Sequence, residues 1–226
     1  MLQHASSRVS FRDMDRTLSP LDRFIDVLDQ GLRLSFGPSP APERETPAAG
    51  IPDTELGSTE RTLAGCLMRV NHSGEVCAQA LYQGQAITAK STDVREKLQR
   101  SAQEENDHLA WTSQRVAELG THTSYLNLLW YTGSFAVGAI AGLVGDRWSL
   151  GFLAETEHQV VEHLSGHLTR LPAEDTRSRV IVERMREDEG RHATVAIEAG
   201  AHDLPGPIKC LMRATARLMT TTAHWI

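Results

Sequence analysis

Two short patterns in this 226-residue sequence are built for metal chemistry. Glu105-Asn106-Asp107-His108 and Glu189-Gly190-Arg191-His192 each set a carboxylate and an imidazole three positions apart. On a helix those two side chains share a face. Two such pairs can hold two metal ions when each of two further helices contributes one more Glu.

The extra glutamates are found by asking which lie on otherwise apolar stripes. Leu67, Met68, Glu75, Ala78 and Tyr82 form one stripe, and Leu98, Ala102, Glu105, His108, Thr112, Val116 and Leu119 a second. Leu150, Leu153, Glu157, Val160, Val161, Leu164 and Leu168 form a third, and Val182, Met185, Glu189, His192 and Ala196 a fourth. Each stripe carries a carboxylate in an apolar seam, where an unpaired charge is costly. Four carboxylates with two neutral imidazoles carry a charge of about −4, which two divalent cations neutralise. Glu75 and Glu105 lie 30 positions apart, and Glu157 and Glu189 lie 32 apart, so the chain reads as two helical hairpins of one plan.

A third Glu-x-x-His, Glu155-Thr-Glu-His158, acts as an internal control. Its face holds Gly151, Gln159 and Glu162, so it is expected to be solvated. Stripe geometry therefore selects Glu157 over Glu155. Oxygen-rich ligation with two imidazoles suits iron or manganese rather than structural zinc. His108 and His192 each need an acceptor for their free N–H. Asp188 is a candidate acceptor across the bundle; a solvated Asp is the alternative.

The elements that must position these residues follow from periodicity and punctuation. Helices are expected at 59–88, 92–119, 150–170, 174–200 and 207–224, separated by Gly120, Pro172 and Pro205-Gly206-Pro207. No strand pattern competes, and aromatics are only 5%, so the class is all-α. Residues 1–57 read as an appendage: a polar tail, an amphipathic helix near 21–37, then a mobile linker with Pro38, Pro40, Pro42, Pro47 and Pro52. The main domain spans 58–226. The net charge of −6 gives no footprint for nucleic acid. Three scattered cysteines form no disulfide framework and point to a reducing compartment. The first residues lack the apolar run of a secretory signal.

The stretch MRVNHSGEVCAQALYQGQ (68–85), with Glu105-Asn-Asp-His108, AETEHQVVEHL (154–164) and Asp188-Glu189-Gly-Arg-His192, resembles the demethoxyubiquinone hydroxylases, in their bacterial form. The combination Asn71-His72-Ser-Gly74-Glu75-Val76 is more specific than any Glu-x-x-His, and the likeness covers roughly residues 58–226. It implies a ferritin-like four-helix bundle with additional interfacial helices and two iron ions per chain. The implied ligands are Glu75, Glu105, His108, Glu157, Glu189 and His192, with Glu105 and Glu189 bridging. The implied reaction is O2-dependent hydroxylation of a polyprenyl benzoquinol ring in the penultimate step of ubiquinone synthesis. His163 lies in a family-like segment off the ligand face and is a candidate for substrate contact. Cys77 stands where a smaller residue is expected. No dinucleotide fingerprint follows a strand, so electrons come from an external donor or from the quinol.

A polyprenyl substrate lives in the bilayer, and residues 119–145 contain no Asp, Glu, Lys or Arg. A single span there would put Glu105 and His108 on one side and Glu157, Glu189 and His192 on the other. The segment must therefore return to its starting side, lie in the interface, or be buried. Trp130, Tyr131 and Trp148 are expected as interfacial anchors, and Gly133, Gly138, Gly142 and Gly145 weaken a rigid long helix. In the last helix, Lys209, Arg213 and Arg217 oppose Ile208, Leu211, Met212, Leu218 and Met219, as in an interfacial helix. The expectation is peripheral association with the cytoplasmic face of the inner membrane, with self-association through the same surfaces. Two other function classes share parts of the pattern: a ferritin- or rubrerythrin-like iron oxidase or peroxide scavenger, and a membrane-surface scaffold with a vestigial site.

Overall fold

The structure, a computed structural model, describes residues 25, 29–34, 37 and 39–226. Its ordered elements are α1 (Ser58–Thr88), α2 (Thr92–Glu118), α3 (Asn127–Val144), α4 (Asp146–Arg170), α5 (Thr176–Glu198) and α6 (Gly206–Trp225). No strand occurs among the described residues. Helices α1, α2, α4 and α5 form the bundle, and α3 and α6 pack on its outside. The fold is a ferritin-like helical bundle with two added helices.

Local chemistry sets the helix ends. Ser91 caps α2 through Val94 N–H, and Asp175 caps α5 through Ser178 N–H. Gly120, at φ +74°, closes α2 in the left-handed conformation that glycine adopts most easily. The bundle core divides into two apolar clusters. One gathers Leu67, Met68, Trp111, Leu164, Ile181 and Met185; the other gathers Tyr82, Leu98, Leu150, Leu153 and Ala196. The charged stripe residues lie between them in sequence on every bundle helix.

Three expectations are corrected. Residues 127–144 form one unbroken helix despite their glycines. Gly84, on α1, and Gly138 face each other: a Cβ at either would collide with the opposing backbone at Phe135 or Leu81. Here small residues serve close helix approach rather than flexibility. Tyr131 is 2% exposed, packed with Val76, Ala80 and Leu109 and hydrogen-bonded to Gln83, so it is no interfacial anchor. The proline-rich segment is docked. Ala48 enters the core, Arg177 donates to Ile51 O, and Arg115 pairs with Asp53 at 3.0 Å. Extended, proline-stiffened chain loses little entropy on docking, and the bundle supplies anchoring charges. Of the expected 21–37 helix, residues 29–34 are helical, with Gly31 against the Tyr131 ring; most of the remainder lies outside the described residues.

Candidate metal centre

The four stripes bring six side chains together at mid-bundle. Glu75, Glu105, His108 and Glu189 offer ligand atoms within 4.8 Å of one another, and Glu157, Glu189 and His192 form a second such group. All six side chains are buried. The two imidazoles present Nδ1 inward. His108 Nδ1 lies 3.0 Å from Glu105 Oε2 and 3.1 Å from Glu189 Oε1. His192 Nδ1 lies 3.3 Å from Glu105 Oε1 and 3.2 Å from Glu189 Oε2. Glu105 and Glu189 thus each turn one oxygen to either imidazole, the arrangement of a bridging carboxylate. Glu75 reaches only the His108 side, at 3.5 Å. Glu157 belongs to the His192 group and accepts from Tyr82 Oη at 2.7 Å.

The outward nitrogens are held too. His108 Nε2 lies 3.1 Å from Asp188 Oδ2, and His192 Nε2 lies 3.0 Å from Glu104 Oε2. With Nε2 of each imidazole held against a carboxylate, Nδ1 is the nitrogen turned to the carboxylate cluster and would be the donor atom to a cation once its proton is displaced. Arg191 joins both outer carboxylates, 2.8 Å from Asp188 Oδ1 and 2.7 Å from Glu104 Oε2.

The electrostatics are those of a site short of positive charge. Burial and the neighbouring carboxylates of Glu105 and Glu189 push the Glu75 and Glu157 carboxyls well above the usual range. Burial disfavours the charged imidazole of His108, but Glu105 and Asp188 more than offset it and raise its pKa well above the usual value. His192 is raised likewise, its burial outweighed by Glu104, Glu105 and Glu189. Protons thus gather where cations would sit. Glu157 Oε2 is buried with no hydrogen-bond donor among the described residues. An oxygen-rich, two-imidazole donor set with an orphaned carboxylate oxygen fits two hard-to-borderline divalent cations.

Other predicted residues fall elsewhere. His163 does not join the cluster. Its ring meets that of His167 at a tilt, with centroids 4.0 Å apart, and it lines a cavity of about 360 Å³ between α1, α4 and α6; its Nε2 is buried with no hydrogen-bond partner among the described residues. Glu155 is not a member either, but its expected solvation is wrong. It is 8% exposed beneath α6, paired with Lys209 at 3.2 Å and Arg213 at 3.5 Å, while His158 is exposed. Of the Asn71-His72-Ser73 motif, His72 and Ser73 dock α3 rather than lining the centre, while Asn71 donates to Met68 Sδ on its own helix. Ser73 donates to Asn127 Oδ1 at 2.9 Å, and Asn127 Nδ2 donates to His72 Nδ1 at 3.4 Å. Burial lowers the His72 pKa to about 4, which keeps it the neutral acceptor this contact needs. Cys77 is half-buried, its thiol pushed up to about 11 by desolvation.

Sequence reasoning missed Tyr82, Glu104, Arg191 and Arg44. Tyr82 sits two turns from Glu75 on its own stripe, and Glu104 and Arg191 each adjoin a named ligand, so helical spacing was a usable signal. Arg44 gave no local signal.

A sequence model described as "Ubiquinone biosynthesis protein COQ7" matches residues 62–223. The 3-demethoxyubiquinol 3-hydroxylase of Nitrosococcus oceani is 59% identical over 93% of this chain and 99% of its own. The protein of that name from Aromatoleum aromaticum is 55% identical over 91% of this chain and 100% of its own. That from Nitrosomonas eutropha is 52% identical over 91% and 99%. With both a match across most of the bundle and relatives this similar along nearly the whole chain, the protein belongs to the COQ7 family of ubiquinone biosynthesis proteins.

Proposed function

We infer that this chain hydroxylates the ring of demethoxyubiquinol, a polyprenyl methoxy-methyl-benzoquinol, to demethylubiquinol. The observation that carries the reading is the pair of carboxylates, Glu105 and Glu189, each shared between two inward-facing imidazoles. Glu75, Glu105, His108 and Glu189 would hold one iron; Glu157, Glu189, His192 and Glu105 would hold the other. When bound, the iron pair supplies O2 activation, so that one oxygen atom goes to the ring carbon and the other to water, with two electrons from an external donor or the quinol.

The chain's own residues do the rest. The outer carboxylates of Asp188 and Glu104 fix the imidazole tautomers. Tyr82 holds Glu157 in place, and burial beside carboxylates keeps its hydroxyl protonated and donating. The apolar clusters keep bulk water from the centre. We assign His163 to substrate contact because its side chain lines the cavity beside α6.

Association with a membrane surface is supported by the outer helices. α3 is the single described helix long and apolar enough to cross a bilayer, yet it lies along α1 with Leu129, Val137, Ile140, Leu143 and Val144 exposed. α6 turns an apolar stripe to solvent. Lys209 and Arg213 pair with Glu155 of the bundle, while Ile208, Leu211, Leu218 and Trp225 point outward. Apolar groups displayed this way fit the headgroup boundary, where a polyprenyl quinol is taken up.

The test is a quinone profile by mass spectrometry of cells lacking this gene, restored with wild type or Glu189→Ala. A quinone lacking one methoxy group should accumulate and be cleared only by wild type. Clearance by both versions would remove the metal assignment; absence of that quinone would remove the reaction.

A further inference from the structure

The segment before α1 reaches the metal centre through one side chain. Arg44 Nη1 lies 2.8 Å from Asp188 Oδ2, the same oxygen that faces His108 Nε2. Its Nε lies 2.5 Å from Asp107 Oδ2, and the backbone N–H groups of Glu43 and Arg44 donate to Asp107 Oδ1 at 2.7 and 3.2 Å. The guanidinium sits 4.9 Å over the Trp111 ring, Trp111 Nε1 donates to Arg44 O, and that ring is 5.4 Å from the His108 ring. One side chain therefore ties Asp107 on α2 to Asp188 on α5, around the imidazole of His108.

We propose that Arg44 is a positioning residue for His108, acting through Asp188, so that the proline-rich segment completes one of the two metal sites. The inference rests on the metal-centre reading above. Asp188 has no exposed side-chain surface and stands next to Glu189 in a region already crowded with carboxylates. A carboxylate buried there keeps its acceptor role only if cations satisfy its remaining lone pairs. Arg191 and Arg184 approach Oδ1 from α5 itself, at 2.8 and 3.5 Å. Arg44 holds Oδ2, the oxygen that orients His108. A planar guanidinium can hold Asp107 and Asp188 at once; a lysine ammonium cannot reproduce that fork. On the His192 side the acceptor is Glu104, to which Arg191 donates, and no described residue of the segment joins them. The two sites thus differ in how their imidazoles are held, and one of them would depend on a residue outside the bundle.

The test loads the full-length protein with ferrous iron and follows its release to a colorimetric chelator, with the thermal melt of the metal-free protein measured in parallel. Arg44→Ala should make release biphasic. One ion should leave about 10- to 100-fold faster, the range seen when such outer partners are removed. The other should leave at the wild-type rate. Arg44→Lys should remain impaired. Arg177→Ala frees the Ile51 end of the same segment without touching Asp188, and should lower the melt while leaving both release rates unchanged. Wild-type release from Arg44→Ala, or equal acceleration in Arg44→Ala and Arg177→Ala, overturns the inference alone. A wild-type chain that retains no iron overturns the metal-centre reading and this inference with it.

Discussion

The outward apolar stripe of α6 makes a quantitative claim about membrane binding. Leu211 is 67% exposed and Leu218 60%, with Trp225 on the same side. Burying a Leu side chain fully is worth about 2 kcal/mol. About two thirds of that remains to be gained at each position, roughly 1.3 kcal/mol apiece. Leu211→Ser with Leu218→Ser should therefore weaken binding to vesicles by roughly 2.6 kcal/mol, close to 70-fold in Kd. Both side chains already contact solvent, so the fold should be unaffected, with stability changing by less than about 0.5 kcal/mol. The assay is flotation with vesicles of mixed zwitterionic and anionic lipid, read against the melting temperature of each protein. The result that refutes the reasoning is a double variant whose Kd stays within about twofold of wild type. Failure of the wild type to float would refute it equally.

Three further outcomes follow from the site and the packing. Glu157→Ala should lower iron affinity by more than about 100-fold, whereas Glu155→Ala should keep full iron content and only lower the melting temperature by releasing Lys209 and Arg213; metal analysis after gel filtration separates them. Metal affinity should rise with pH. Glu75, Glu157, His108 and His192 are all shifted upward in the metal-free fold, so the stability they lend is present at low pH and lost as pH rises. A cation must displace those protons, and each one displaced weakens affinity about tenfold per unit of falling pH, as proton release in weakly buffered titrations would record. Gly138→Leu should force α3 off Leu81 and destabilise the chain by about 1–3 kcal/mol, with the vesicle-binding surface displaced in the same variant.

What was legible in the sequence was whatever helical periodicity encodes. The four stripes are buried almost as written, because a 3.6-residue period fixes which side chains meet. Glu157 rather than Glu155 stands in the cluster for the same reason. What escaped was set by contacts between distant segments. Nothing around Arg44 marks it; its partners, Asp107 and Asp188, lie 63 and 144 positions away. The prolines read as a linker because proline stiffness says nothing about docking. Glu155 read as solvated because its own helix is polar there, and Lys209 and Arg213 of α6, which pair with it, come 54 and 58 positions later. Glycines in 127–144 read as weak points because their use depends on a backbone that only the fold brings near.

Helix α1 joins the chemistry to the surface. On one face it carries Glu75 and, two turns on, Tyr82 beside Glu157. On the other it receives α3 through Gly84 against Gly138, and through the polar latch of His72 and Ser73 on Asn127. Two turns of helix advance about 10 Å, so the latch, the ligand and the glycine contact are spaced along one rigid rod. Arg69, near its start, ties the loop before α3 to the end of α6 through His122 O and His224 O, at 2.8 and 3.2 Å. The apolar helices are thus held at a fixed distance from the carboxylate cluster. A substrate whose tail stays in lipid needs its ring delivered to one depth, and with α3 and α6 at a membrane surface, as proposed, the helix they share with the carboxylate cluster would set that depth.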